Sequence, residues 1–192
     1  MKKIYLFLLI FIGVSSNVNA QEIKRIIVGN IDAKISIIAF ESMTCSHCAD
    51  FHKNVFPQLK EEYLDTGLAK IEFRHFPLDI AAFNASKVSQ CKNDGNPKIL
   101  ESLYANQQKW VKGSSVNEAN KNLKKFLDSE GFNIDFDYCL NNKEIEDFVL
   151  NDRIDGAKNF KVSSTPTIII NNKKFEKTLN YKNLKKALEK LI

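Results

Sequence analysis

The chain has 192 residues and a formal net charge of +5, with Lys and Arg interspersed among Asp and Glu. That length suits one domain, or one domain with a sizeable insertion. The mixed charge excludes the concentrated basic surface of a nucleic-acid binder, and lysines such as Lys182, Lys185, Lys186 and Lys190 recur at the spacing of a solvated helix face.

At the start, Lys2 and Lys3 precede an apolar core from Ile4 to Val14, and Val18-Asn19-Ala20 offers small residues before Gln21. This is the pattern of a secretory signal peptide over residues 1–20, with cleavage expected after Ala20. The core is roughly half of the ~20 apolar residues a helix needs to cross hydrocarbon. Cleavage removes two lysines and no acid, so the charge falls from +5 to +3. Residues 21–192 are therefore expected to be soluble and exported, in the periplasm. All four cysteines lie there, and an even count in an oxidising compartment favours disulfides over free thiols.

Residues 23–28 and 35–41 read as strands, the second a near-continuous apolar run of the kind buried on both faces. From Ser46 to Leu64, Cys48, Phe51, Val55, Phe56, Leu59 and Tyr63 recur at helical spacing, with Gly67 beyond the end and Pro57 expected to bend or break the pattern. Residues 69–76 return as a strand and close a β-α-β unit. From Asp79 to Val149 helix signals take over. Asn96-Pro97 opens one helix, Ser115 with Glu118 forms a capping box, and Gly131 ends that helix. A further helix is expected over 142–160, with Ile145, Phe148, Val149, Ile154 and Ala157 inward. Thr167 to Ile170, a turn at Asn171-Asn172, a short returning strand and a helix over 181–191 complete the chain. The expected architecture is α/β: a sheet domain over 21–78 and 150–192, with an all-helical domain inserted at 79–149.

The chemistry centres on Thr44-Cys45-Ser46-His47-Cys48, directly after the buried strand. Structural zinc needs four ligands, usually as two close pairs, but Cys91 lies 43 residues beyond Cys48 without a neighbouring partner. Even with His52 as a third ligand no fourth is visible, so no metal is expected. A purely structural disulfide here would close a tiny loop and restrain the unfolded chain little. Redox chemistry explains each position. Cys45 falls where a strand gives way to a helix, so its sulfur meets unpaired N–H groups and the positive end of the helix dipole, both of which favour the reactive thiolate. Cys48, one turn on, faces the core and can resolve a mixed disulfide formed at Cys45. A helix terminus supplies at best about 2 kcal/mol and one pKa unit is about 1.4, so the dipole lowers the thiol by little more than one unit. His47, between the cysteines, is expected to add to it. His52 and His75 read as surface or sheet-edge residues. At Ser164-Thr165-Pro166-Thr167, proline enters the last apolar strand. It either marks an edge or, with a cis bond, presents the Thr165 backbone to an extended peptide.

Strand, Cys-Ser-His-Cys, long helix, helical block, Thr-Pro and two final strands together resemble the DsbA family of thiol:disulfide oxidoreductases. Phe73-Arg74-His75-Phe76-Pro77-Leu78, Phe51-His52 with Pro57, and Ala105-Asn106-Gln107 before Trp110 are also similar to stretches of that family. The resemblance covers essentially all of residues 21–192. It implies a thioredoxin fold with an inserted all-helical domain, Cys45 as nucleophile, Cys48 as resolving thiol, and Thr165 with cis Pro166 beside them. It further implies a monomer with no cofactor beyond the Cys45–Cys48 disulfide, donation of disulfides to newly exported proteins with free thiols, and reoxidation by a quinone-linked membrane partner of the DsbB type. A reductase or isomerase on the same fold is the alternative. Two departures stand out: Ser46 replaces the usual proline, and Ala39 occupies the position, six before the first cysteine, where the family often buries an acid. Glu41, on the same strand face by alternation, is the candidate proton relay in its place. Some members of the family carry a second, non-catalytic disulfide in the insertion, which here would join Cys91 to Cys139 and close a loop worth roughly 4 kcal/mol by chain entropy.

Overall fold

The computed structural model describes residues 22–192; the signal peptide expected over 1–20 lies outside them. The sheet runs β1–β3–β2–β4–β5, with β1 at Ile26–Gly29, β2 at Ile35–Glu41, β3 at Ala69–His75, β4 at Thr167–Ile170 and β5 at Lys173–Lys174. β2 is central, parallel to β3 and antiparallel to β4, and every residue of it except Ser36 is buried, as its apolar run requires. β5 contributes two exposed lysines at one edge of the sheet.

Between β2 and β3 the chain forms α1 (Ser46–Asn54), α2 (Phe56–Leu59) and one π-helical turn (Lys60–Leu64). The break at Val55, with φ −118° and ψ −48°, follows from Pro57, which has no N–H for the carbonyl of Lys53. After β3 come α3 (Ile80–Gln90), α4 (Lys98–Ala105), α5 (Gln107–Trp110), α6 (Val116–Ser129), α7 (Phe136–Asn141) and α8 (Lys143–Asn159), and the chain closes with α9 (Tyr181–Leu188). Pro97 is the cap residue of α4, so the helix starts at Lys98, one position later than its sequence suggests. Ser115 accepts the N–H of Glu118 as expected, but the Glu118 carboxylate accepts from Ser114 instead of completing the box. Cys91, just beyond α3, is bonded to Cys139 on α7.

One apolar cluster runs from Ile37 and Ile71 of the sheet through Phe51 and Leu59 into Tyr104, Trp110 and Leu123 of the helical block, so sheet and block share a core. On the other sheet face Ile38, Phe40, Phe76, Val162 and Ile169 form a smaller cluster under α8. Here the expected phasing of α8 is corrected. Ile145 and Val149 are buried, but the inward positions that follow are Asp152 and Gly156, whereas Ile154 is 48% exposed and Ala157 is exposed. The cause lies in two contacts. Asp152 accepts the His75 N–H at 3.0 Å and pairs with Arg25, and a Cβ on Gly156 would sit 2.8 Å from the Phe40 ring. A buried charge with its partners and the absence of a side chain together let α8 lie close on the sheet. α8 is unbroken across residues 149 and 150.

Candidate functional site

Strand β2 delivers Glu41 and the turn Ser42–Cys45 to the N-terminus of α1. The Cys45 N–H closes that turn onto the Ser42 carbonyl at 3.0 Å, and the Cys45 carbonyl accepts from Cys48 and Ala49 at 3.1 and 3.2 Å. Cys45 is thus the N-cap residue, in extended conformation, with no side-chain oxygen taking the free N–H groups of the first turn. Its sulfur makes no cap hydrogen bond of its own but lies near enough for the N–H groups of His47 and Cys48 to favour its anion. Cys45 is half-buried, Cys48 is wholly buried, and both are thiols.

These surroundings hold the Cys45 thiol down at about pKa 5. The largest cause is the Cys48 thiol donating to it; burial opposes; the Thr165 side chain and the backbone N–H groups of Cys48 and His47 add to the lowering. Burial pushes Cys48 far up, and the neighbouring Cys45 sulfur and the Glu41 charge push the same way. One sulfur is made a stable anion and the other a poor one. What His47 adds is its backbone N–H, while its side chain is exposed in the wall of a groove.

The Thr165–Pro166 bond is cis and lies beside Cys45: the Cys45 thiol donates to the Thr165 carbonyl at 3.3 Å. The Thr165 hydroxyl is buried without another partner, free to turn to the thiolate. A groove of about 510 Å³ runs on from there, lined by His47, Phe51, Val55, Pro166, Leu179 and Tyr181 among others.

Beneath the cysteines, Glu41 is 3% exposed and its Oε2 lies 2.9 Å from Nε2 of His52. The His52 ring stacks on Tyr104 of α4 with centroids 4.1 Å apart. His52 is therefore a core residue and not the surface residue its sequence suggested. The same correction holds for His75: β3 is an interior strand, His75 is 3% exposed with Nε2 3.3 Å from Gln90, and burial lowers its pKa. The signal for His52 was its spacing, one turn from Cys48 on the face that meets the strand carrying Glu41. Gln107 at the head of α5 was also missed; its amide donates to the carbonyls of Met43 at 2.8 Å and Cys45 at 3.0 Å. Among the described residues no group of three or more His, Cys, Asp or Glu side chains is placed to hold a metal, and no helix is long and apolar enough to cross a membrane.

Comparison with known proteins agrees with this geometry. Wolbachia pipientis alpha-DsbA1 superposes with a TM-score of 0.78 at 28% identity, over 88% of this chain and 90% of that one. BdbD from Bacillus subtilis, at 22% identity, shares the fold, with a TM-score of 0.70 over 86% of this chain and 91% of its own. Among curated sequences, a Rickettsia bellii protein named as a candidate protein-disulfide oxidoreductase is 28% identical over 170 residues, 86% of this chain and 64% of that protein. The disulfide bond formation protein D of Bacillus subtilis is 24% identical over 183 residues, 85% of this chain and 75% of that protein. The chain spans about three-fifths of the length of the first Rickettsia relatives it matches. The thioredoxin family pattern matches residues 21–190. With its fold shared by the DsbA structures and its Cys-x-x-Cys pair at the head of α1, the chain belongs to the thioredoxin family.

Proposed function

We propose that this chain is an exported thiol:disulfide oxidoreductase that donates the Cys45–Cys48 disulfide to thiols of newly translocated proteins. The observation that carries the reading is the pairing of a half-buried, acidified Cys45 sulfur with a wholly buried Cys48 thiol beside the cis Thr165–Pro166 bond. In the donating direction a substrate thiolate attacks Cys45, the Cys45–Cys48 bond breaks, and Cys48 leaves as a thiolate that takes up a proton. A second substrate thiolate attacks the substrate sulfur of the mixed disulfide and expels Cys45. The low pKa of Cys45 makes it the better leaving group and stabilises the reduced enzyme, so the exchange runs towards substrate disulfide. Reoxidation reverses the roles: the Cys45 thiolate attacks one sulfur of a partner's disulfide and releases the other as a thiolate, and Cys48 then loses its proton, attacks Cys45 and expels the partner's remaining sulfur as a thiolate.

Glu41 is the proposed acceptor of the Cys48 proton. Its Oε1 has no hydrogen-bond partner, and the His52 to which Oε2 is bonded lies in the wall of the cleft between α1 and α4, through which a proton can exchange with water. The groove beside the cis Thr165–Pro166 bond suits an extended substrate segment. On this reading the protein acts in the periplasm as a monomer, residues 79–149 form the inserted domain, Cys91–Cys139 is a structural bridge, and a quinone-linked membrane protein restores the active disulfide.

Equilibration of the purified protein with glutathione buffers tests the reading. A Cys45–Cys48 potential above that of the glutathione couple, with catalytic oxidation of a reduced unfolded protein that Cys45→Ser abolishes, is the expected result. A potential well below that couple assigns the chain to the reductases or isomerases.

A further inference from the structure

Two polar ties run from the helical block to the backbone that carries the nucleophile. Asp79, ahead of α3, uses both carboxylate oxygens: Oδ1 caps α3 by accepting the Ala82 N–H at 2.7 Å, and Oδ2 accepts the hydroxyl of Thr44 at 2.6 Å. Gln107, at the head of α5, spends its amide group on the carbonyls of Met43 and Cys45. The residue on each side of the Thr44–Cys45 bond is thus held by the block, and so is the carbonyl just before it. Just before the block, the Leu78 N–H donates to the Ser42 hydroxyl at 3.2 Å.

The donor on α5 is itself fixed. That helix has only four residues, but Trp110 at its end is 1% exposed and donates to the Leu103 carbonyl of α4 at 2.8 Å. Gln107 is therefore presented by a short element pinned in the shared core. The Cys45 carbonyl it reaches already receives the N–H groups of Cys48 and Ala49. A third donor there is not needed to form the helix. It sets where the first turn of α1, and the sulfur at its cap, stands relative to the cis Thr165–Pro166 segment, which lies about 120 residues further along the chain. Hydrogen bonds weaken steeply with length and angle, so a shift of a few tenths of an ångström in this turn is felt at the sulfur.

We propose that Gln107 and Asp79 are positioning residues of the thiol–disulfide chemistry, through which the helical block holds the Met43–Cys45 turn so that the Cys45 sulfur stays within reach of Thr165 and Cys48. The inference rests on the function proposed above and assigns the block a part in it: the block sets the reactivity of a thiol that another part of the chain supplies.

Gln107→Leu removes the donor and keeps the volume, and Thr44→Val removes the tie to Asp79 while leaving the α3 cap intact. The titratable groups around the turn and the cysteine pair are Cys48, Glu41, His47, His52, Asp79 and Tyr104, and neither variant replaces any of them. Thiolate absorbance of reduced protein, followed across a pH series, reads Cys45. In Gln107→Leu the titration moves up from about 5 by about one unit, a tenfold loss in the thiolate-to-thiol ratio, with a smaller upward shift in Thr44→Val. The potential against glutathione falls in step, by about 30 mV for each tenfold change. Thermal unfolding run alongside reports whether each variant is folded, and if Gln107→Leu is not, Thr44→Val decides alone. Titration curves that coincide with the parent, or move down, overturn the inference while leaving the proposed function in place. A parent Cys45 that titrates like a free thiol overturns both.

Discussion

Glu41 and His52 face each other across the interface of β2 and α1, with Oε2 and Nε2 2.9 Å apart and both side chains at most 4% exposed. The resemblance gave an acid to position 39, where this chain has a buried Ala39 on the same face of β2. Each member of the pair leaves its second polar atom unpartnered, Oε1 on Glu41 and Nδ1 on His52.

Glu41→Gln keeps the shape and the hydrogen bond but cannot take a proton. Reoxidation by a small disulfide, followed by stopped flow, is expected to slow by about a hundredfold near neutral pH, the lower end of what a positioned base contributes. The loss should shrink as pH rises and hydroxide takes over the deprotonation of Cys48. A rate equal to the parent's across the series would remove Glu41 from the chemistry.

The largest influence on Cys45 is the Cys48 thiol, ahead of any backbone group. Cys48→Ala should therefore raise the Cys45 pKa well above about 5, and Cys48→Ser, which keeps a donor, should raise it less. Alkylation rates of Cys45 against pH distinguish the two.

That pKa also makes stability depend on redox state. The folded value of about 5 lies below the ordinary thiol value of 9.0, so folding favours the anion. The gain is complete above the unfolded value and disappears as pH falls through the folded one. Reduced protein should become more stable between pH 5 and 9, whereas the oxidised protein, with no thiol at position 45, should lack this contribution. Denaturant melts of both forms at several pH values check it.

Burial lowers the His75 pKa below 6.5, so here the unfolded chain binds the extra proton. Stability from this residue is complete above pH 6.5 and declines as pH falls below it. His75→Gln should flatten that part of the melting curve against pH.

Gly156→Ala should destabilise by about 1–3 kcal/mol, the usual cost of overpacking, because its Cβ would meet the Phe40 ring at 2.8 Å and Phe76 at 3.1 Å. Urea titration gives the number. An unchanged midpoint would mean that α8 can lift from the sheet without cost.

Local chemistry made much of this legible in the sequence. The apolar run of β2, the cysteine at a strand-to-helix boundary and Pro57 all act within a few residues, and the structure has the central strand, the capped thiol and the break at Val55 where the chain placed them. The phase of α8 was hidden because two of its inward positions are an aspartate and a glycine, residue types that read as solvent-facing until Arg25, His75 and Phe40 arrive from elsewhere in the chain. His52 was misread for the same reason, as its partner Glu41 lies on another element. Gln107 lies in a family-like stretch, but nothing local says what it does, which depends on carbonyls more than 60 residues away, 62 in the case of Cys45.

The sheet stops at β5, two residues long and both of them lysine. Two residues offer an incoming strand few backbone groups to pair with, and the same edge on another copy would bring ammonium against ammonium. This border of the sheet is thus a poor template for cross-β stacking.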